Sequence, residues 1–154
     1  MCMALAVHKI NSSHTMALQG ELKINAQKKS YGVVECAYEF NQSMDESGKP
    51  TSRTRGGTIT FVMPAKNDDD LFFYNWMFRK TETHDGVFRF VVFTNNNKRS
   101  YKTVKFFNAY CISLKDYFND NDSKLMYTTV TISAEIITIG NGTLGNAVFN
   151  NEWK

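Results

Sequence analysis

The chain has 154 residues, a formal net charge of +3, 42% hydrophobic residues and 14% aromatic residues. That length is one domain with room for a packed core. The mild charge argues against a dedicated nucleic-acid binder, though it leaves room for a local basic patch. Phe and Tyr dominate the aromatics, which favours strands, where flat side chains pack across a sheet.

The opening MCMALAVHKINSS carries a short apolar patch with neither a basic leader nor an apolar run of secretory length, so no signal peptide is expected. No stretch approaches the roughly 18 apolar residues of a membrane helix. The Asn-x-Ser/Thr matches at Asn11, Asn41, Asn121 and Asn141 are then read as chance.

Residues 16–24 alternate loosely, with Leu18, Leu22 and Ile24 on one side, and read as a first strand. Residues 31–41 place Val34, Cys36, Tyr38 and Phe40 on one face of a second. Then the pattern stops. QSMDESGKPTSRTRGG, residues 42–57, holds one apolar residue, Met44. Hairpin loops usually have about two to five residues, and longer ones are functional or mobile. This one is expected to move in the isolated chain and to order on contact.

A third strand, 58–63, aligns Ile59, Phe61 and Met63. Residues 64–80 contain the one convincing helix, expected over 68–80. Asn67 or Asp68 would cap it, aspartates would fill its first turn, and Arg79 and Lys80 would sit at its end. Leu71, Phe72, Phe73, Tyr74, Trp76, Met77 and Phe78 leave it almost no polar face, so a neighbouring subunit is expected to cover its outside.

Strands follow at 86–94, 101–114 and 125–140, the last aligning Met126, Thr128, Val130, Ile132, Ala134 and Ile136. Residues 115–124 read as a polar connection and 141–154 as an irregular tail. Six or seven strands with one helix between the third and fourth point to a barrel or a sandwich.

Signatures of chemistry are scarce. Cys2, Cys36 and Cys111 form no paired metal spacing, and the last two lie in strands, so they read as buried free thiols of a reducing compartment. His8, His14 and His84 are scattered. Asp68, Asp69 and Asp70 are explained as helix-start residues. No nucleophile elbow is present. Gly56 and Gly57 feed a strand instead of a helix, and no Gly-Lys-Ser/Thr follows, so they do not form a phosphate loop. They relax φ where the long loop enters its strand. No catalytic, metal or cofactor residue is assigned.

Arg89, Lys98, Arg99, Lys102 and Lys105 interleave with aromatics, as in oligonucleotide-binding barrels. The blander reading is a hairpin with one solvated basic face and one buried aromatic face. A monomeric β-barrel binding single-stranded nucleic acid is therefore the alternative function.

The order of segments is more specific. ECAYEFNQSMD, GKPTSRTRGGTI, DDDLFFYNWM, VKFFNAYCISLKDYF, TISAEIITIGNG and a closing NNEW together resemble the tube proteins of type VI secretion, the haemolysin-coregulated protein (Hcp) family, TssD branch. The likeness runs from about Met16 to Lys154 within a single domain, with residues 1–15 as a possible extension. It implies a mainly β fold: a two-sheet β-barrel with one flanking α-helix, like phage tail tubes.

The resemblance also implies a non-enzymatic homohexamer whose rings stack into a hollow tube. A contractile sheath would propel that tube together with a spike or tip protein and a baseplate. Effector proteins would ride in the lumen, with no nucleic acid and no membrane insertion. The protein would be made in the bacterial cytoplasm and leave through the apparatus without a signal peptide. The inter-ring or inter-subunit loop would include Asp45, Gly48, Lys49, Pro50, Arg53, Arg55, Gly56 and Gly57, and its arginines would meet carboxylates or carbonyls of a partner. The inter-subunit helix would present Leu71, Phe72, Phe73, Trp76 and Met77.

Overall fold

A computed structural model describes residues 19–65, 70–121, 126–140 and 145–153. Among these residues period-two alternation builds nine strands: β1 Gly20–Ile24, β2 Ser30–Gly32, β3 Glu35–Tyr38, β4 Thr58–Pro64, β5 His84–Phe93, β6 Arg99–Phe118, β7 Met126–Ser133, β8 Ile136–Gly140 and β9 Asn146–Asn150. Among the described residues one helix, α1, spans Phe72–Phe78 between β4 and β5. Every strand pairing is antiparallel. The order is β2-β1-β5-β6-β7-β4-β3, with β8 beside β6 and β9 beside β8.

β6 organises the molecule. Its first half pairs with β5 and β8, and its second half pairs with β7. Between the halves Asn108 takes a left-handed φ of 56°. Its N–H donates to Asp85 Oδ1 at 2.7 Å and its Nδ2 donates to Glu135 Oε1 at 3.0 Å. Asn tolerates this φ because its short side chain bonds locally. The bend divides the strands into two sheets that share β6. Their facing sides bury Leu22, Ile24, Phe61, Phe88, Val104, Phe106, Val130, Ile132 and Ile137. Phe61 and Phe88 meet edge to face, with centroids 5.1 Å apart.

The expected barrel is not closed by this pairing. β2 and β3 lie at opposite ends of the ladder. They are joined by the chain itself: the Val33 N–H donates to the Gly20 carbonyl at 3.0 Å and the Val34 N–H to the Val62 carbonyl at 2.9 Å. Two consecutive peptide groups thus bond one to each sheet. The single strand expected over 31–41 is split here. Tyr31 and Val33 point inward, Val34 is exposed, and the inward set resumes at Cys36, Tyr38 and Phe40.

The strand expected over 125–140 breaks for a similar reason. β7 buries Thr128, Val130 and Ile132, and Ala134 follows in phase. Turning at Ala134-Glu135 shifts the parity, so Ile137 is buried in place of the predicted Ile136. The predicted polar connection is partly strand, because β6 runs on to Phe118. The predicted irregular tail contains β9, paired in register with β8 from Ile136↔Asn150 to Gly140↔Asn146.

The described helix starts at Phe72, later than the expected 68. The proposed caps Asn67 and Asp68 lie outside the described residues. Leu71 occupies the N-cap position without a side-chain bond, while Asp70 Oδ1 accepts the Phe72 N–H at 3.0 Å. Arg79 is the C-cap, and no basic residue lies in the last helical turn.

Candidate functional site

Residues 41–55 form an arm. Asn41 and Arg55 exchange two backbone bonds, with the Asn41 N–H reaching the Arg55 carbonyl at 3.0 Å and the Arg55 N–H returning at 2.7 Å. Higher up, the Thr51 N–H bonds to the Ser43 carbonyl, and Met44 bridges to Pro50. At the tip the Asp45 N–H bonds to the Lys49 carbonyl, and Asp45 Oδ1 accepts from the Ser47 hydroxyl and from the N–H groups of Ser47 and Lys49. This is an Asx-type turn, completed by Gly48 at φ 87°. The Ser47 hydroxyl bond and the backbone donors hold the Asp45 carboxyl below its ordinary value. The segment read as an open loop is therefore a paired finger, exposed along most of its length.

The finger is rooted on the end of the chain. Arg53 Nη1 meets Glu152 Oε2 at 2.7 Å, and its Nη2 donates to the Asn151 carbonyl at 3.0 Å. The carboxylate and carbonyl expected from a partner thus come to Arg53 from its own C-terminal segment. Arg55 is exposed and has no ion-pair partner among the described residues. Below it, Gly57 takes φ 101°, and a Cβ there would collide with the Asn151 amide and stand 2.9 Å from the Ala134 carbonyl. A Cβ on Gly56 would strike the Phe40 ring. The Gly57 carbonyl accepts the Ala134 N–H at 2.7 Å, Asn151 Nδ2 donates to the Ala134 carbonyl at 2.8 Å, and the Asn151 N–H reaches the Glu135 carbonyl at 2.8 Å. The glycine pair is a close-packed joint as well as a φ relaxation.

Three segments distant in sequence, RTRGG, SAE and NNEW, thus meet where β4 and β9 flank the β7–β8 turn. Sequence reading named all three but did not place them together. Glu152, the ion-pair partner of Arg53, was not among the predicted site residues. The only available signal was NNEW itself.

The helix divides its apolar residues. Phe73 and Trp76 are buried in the chain's own core, and Trp76 Nε1 donates to the Ala109 carbonyl at 3.2 Å. Phe72 and Met77 pack against that core, and Phe72 also lies against His84, centroids 4.9 Å apart. Phe73 and Trp76 are therefore not free to meet a neighbour. Leu71, Asn75 and Phe78, spaced four and three apart, form the outward strip. Leu71 is 59% exposed and Phe78, which lay outside the predicted set, 78%. Polar bonds tie the helix down at both sides: Tyr74 to Asp116, and Tyr31 to Asp70 at 2.8 Å. Lys29 also pairs with Asp70 at 2.7 Å.

Among the described residues, no group of three His, Cys, Asp or Glu could hold a metal ion, and no helix is long and apolar enough to cross a membrane. Cys36 and Cys111 are free thiols. Burial pushes Cys36 up to about 12 and Cys111 up to about 11, far from nucleophilic range.

Comparison with curated protein sequences found no match. Solved structures are more informative. Hcp1 from Flavobacterium johnsoniae is 29% identical and superposes with a TM-score of 0.69, over 86% of this chain and 99% of that one. Hcp1 from E. coli EAEC 042 is 15% identical, with a TM-score of 0.67 over 90% and 100% of the two chains. A chain of the anti-feeding prophage baseplate shares the fold at 9% identity, with a TM-score of 0.50 over 81% and 93%. The model of the family described as "Hemolysin coregulated protein Hcp (TssD)" matches residues 16–154, and the chain belongs to that family.

Proposed function

We propose that the protein is a structural subunit of the type VI secretion inner tube. It forms hexameric rings that stack into a hollow tube, moves by sheath contraction and carries effectors. Family membership supports the reading, and the observation that carries it is the finger 41–55. An exposed, internally bonded arm is pre-organised, so docking it costs less ordering entropy than docking a slack loop. Ring closure would cover the Leu71–Phe78 strip and free strand edges, and a closed ring removes such edges. In the same reading the open ladder between β2 and β3 is completed as a barrel by the chain crossing at Val33-Val34.

Sheath, spike and baseplate are the further partners of this proposal. So is passage from the bacterial cytoplasm through the apparatus. Electron microscopy of the purified protein, with light-scattering mass, tests it. Six-fold rings are expected, and a monomer at high concentration would count decisively against the tube.

A further inference from the structure

β1, β5, β6, β8 and β9 align side chains in rows across one sheet. One row runs Lys23, Val87, Lys105, Thr138, Val148, and the next runs Glu21, Arg89, Thr103, Gly140, Asn146. Beyond them Val91 stands opposite Tyr101 and Phe93 opposite Arg99. The row between them carries Leu22, Phe88 and Val104, and the row on the far side of Lys23 carries Ile24, Phe106 and Ile137, all fully buried. Strand parity therefore puts Lys23, Arg89, Arg99 and Lys105 together on the outer face. Within these rows Glu21 is the sole carboxylate, and it makes no ion pair with Arg89. The Arg89 guanidinium lies over the Tyr101 ring, 3.9 Å from its centroid. Among the described residues none of the four cations has an ion-pair partner.

We infer that this face docks an acidic polypeptide segment, whose carboxylates are taken by Lys23, Lys105 and the free edge of the stacked Arg89. Two strand spacings separate Lys23 from Lys105, about 10 Å. That matches acidic side chains three residues apart in a polyproline II segment, whose three residues per turn keep them on one face and whose rise is about 3.1 Å per residue. Val87, Thr138 and Val148 supply an aliphatic floor beside the lysines. A single-stranded nucleic acid fits less well, because such ligands stack on a series of bare rings, whereas here Arg89 covers Tyr101 and the exposed ring is Phe93, at the far end from the lysines. The inference stands apart from the tube reading, since each observation belongs to the single chain.

The test is fluorescence anisotropy with a labelled oligoglutamate, beside a labelled oligothymidine of equal charge. Oligoglutamate binding is expected at low salt and should weaken near 0.15 M, as exposed charge pairs do. Lys23→Glu with Lys105→Glu should weaken it about tenfold or more. Lys102→Glu with Lys115→Glu makes the same change in net charge away from this face and should leave binding close to that of the parent. Lys23→Gln with Lys105→Gln, checked by circular dichroism, serves if charge reversal disturbs the fold. Equal loss in the off-face pair, no binding at low salt, or tighter binding of oligothymidine would each overturn the inference.

Discussion

Gly57 shows how one residue holds two segments together. Its φ of 101° is strained for any L side chain, and a Cβ has no room beneath Asn151 and Ala134. Gly57→Ala is expected to cost about 1–3 kcal/mol by denaturant melting. An unchanged midpoint would mean that the joint is loose. Trp76 carries more weight, being fully buried and bonded to the Ala109 carbonyl. Trp76→Ala should cost about 3–5 kcal/mol, a large share of the stability of such a domain.

Arg53 and Glu152 are both well exposed, so their pair should be worth about 0.2–1 kcal/mol in a double-mutant cycle. A larger coupling would show that the root is more desolvated than its exposure implies.

Asp70 adds a pH dependence. Burial raises its pKa, but the Lys29 ion pair and the bonds from the Phe72 N–H and Tyr31 hydroxyl outweigh that and leave it below the ordinary 3.8. A depressed carboxyl contributes stability that is present above its unfolded pKa and lost as pH falls through its folded one. Stability should therefore decline on acidification below about pH 4, and Asp70→Asn should flatten that limb.

Among the elements, the finger and the helix depart most from simple expectation. The length and polarity of residues 42–57 announced an unusual segment, and their resemblance to the family pattern placed it. Its ladder of backbone bonds was not legible, because Ser, Thr and Arg carry no alternating hydrophobic signal. Asp45→Ala removes the side-chain acceptor of the tip turn. It should speed hydrogen exchange at Ser47 and Lys49 while leaving global stability within about 0.5 kcal/mol, as surface changes do.

The helix residues were legible as apolar but not as sided. A seven-residue helix is two turns, too short for its moment to tell Trp76 from Phe78. β6 and the β7–β8 turn were likewise legible as strands. Their bends at Asn108 and at Ala134-Glu135 rest on long-range bonds that no local pattern encodes.

For the whole molecule, the proposed assembly carries its own predictions. Replacing Arg53 and Arg55 together with Glu should impair ring stacking more than folding. Because Arg53 already holds Glu152, Arg55→Glu alone is the cleaner probe, and Phe78→Asp is the matching probe for the helix strip. Both variants should melt like the parent yet shift the light-scattering mass or the tube count in micrographs. Parent-like assembly by both would remove these surfaces from the proposed contacts.

By itself the sequence determined the class and most of the elements. Alternation of apolar residues specified strands, because a period of two can bury one face only in extended chain. The ordered segments from ECAYEF to NNEW specified the family. Only the tertiary structure decided where parity slips, that the strand path stays open between β2 and β3, and that Trp76 faces inward. It also decided that Arg53 closes on Glu152. The physical reason is range. Periodicity and propensity are local, whereas the joint at Gly57 joins residues from three distant stretches of the chain, and its geometry exists only once β4, β8 and β9 are in place.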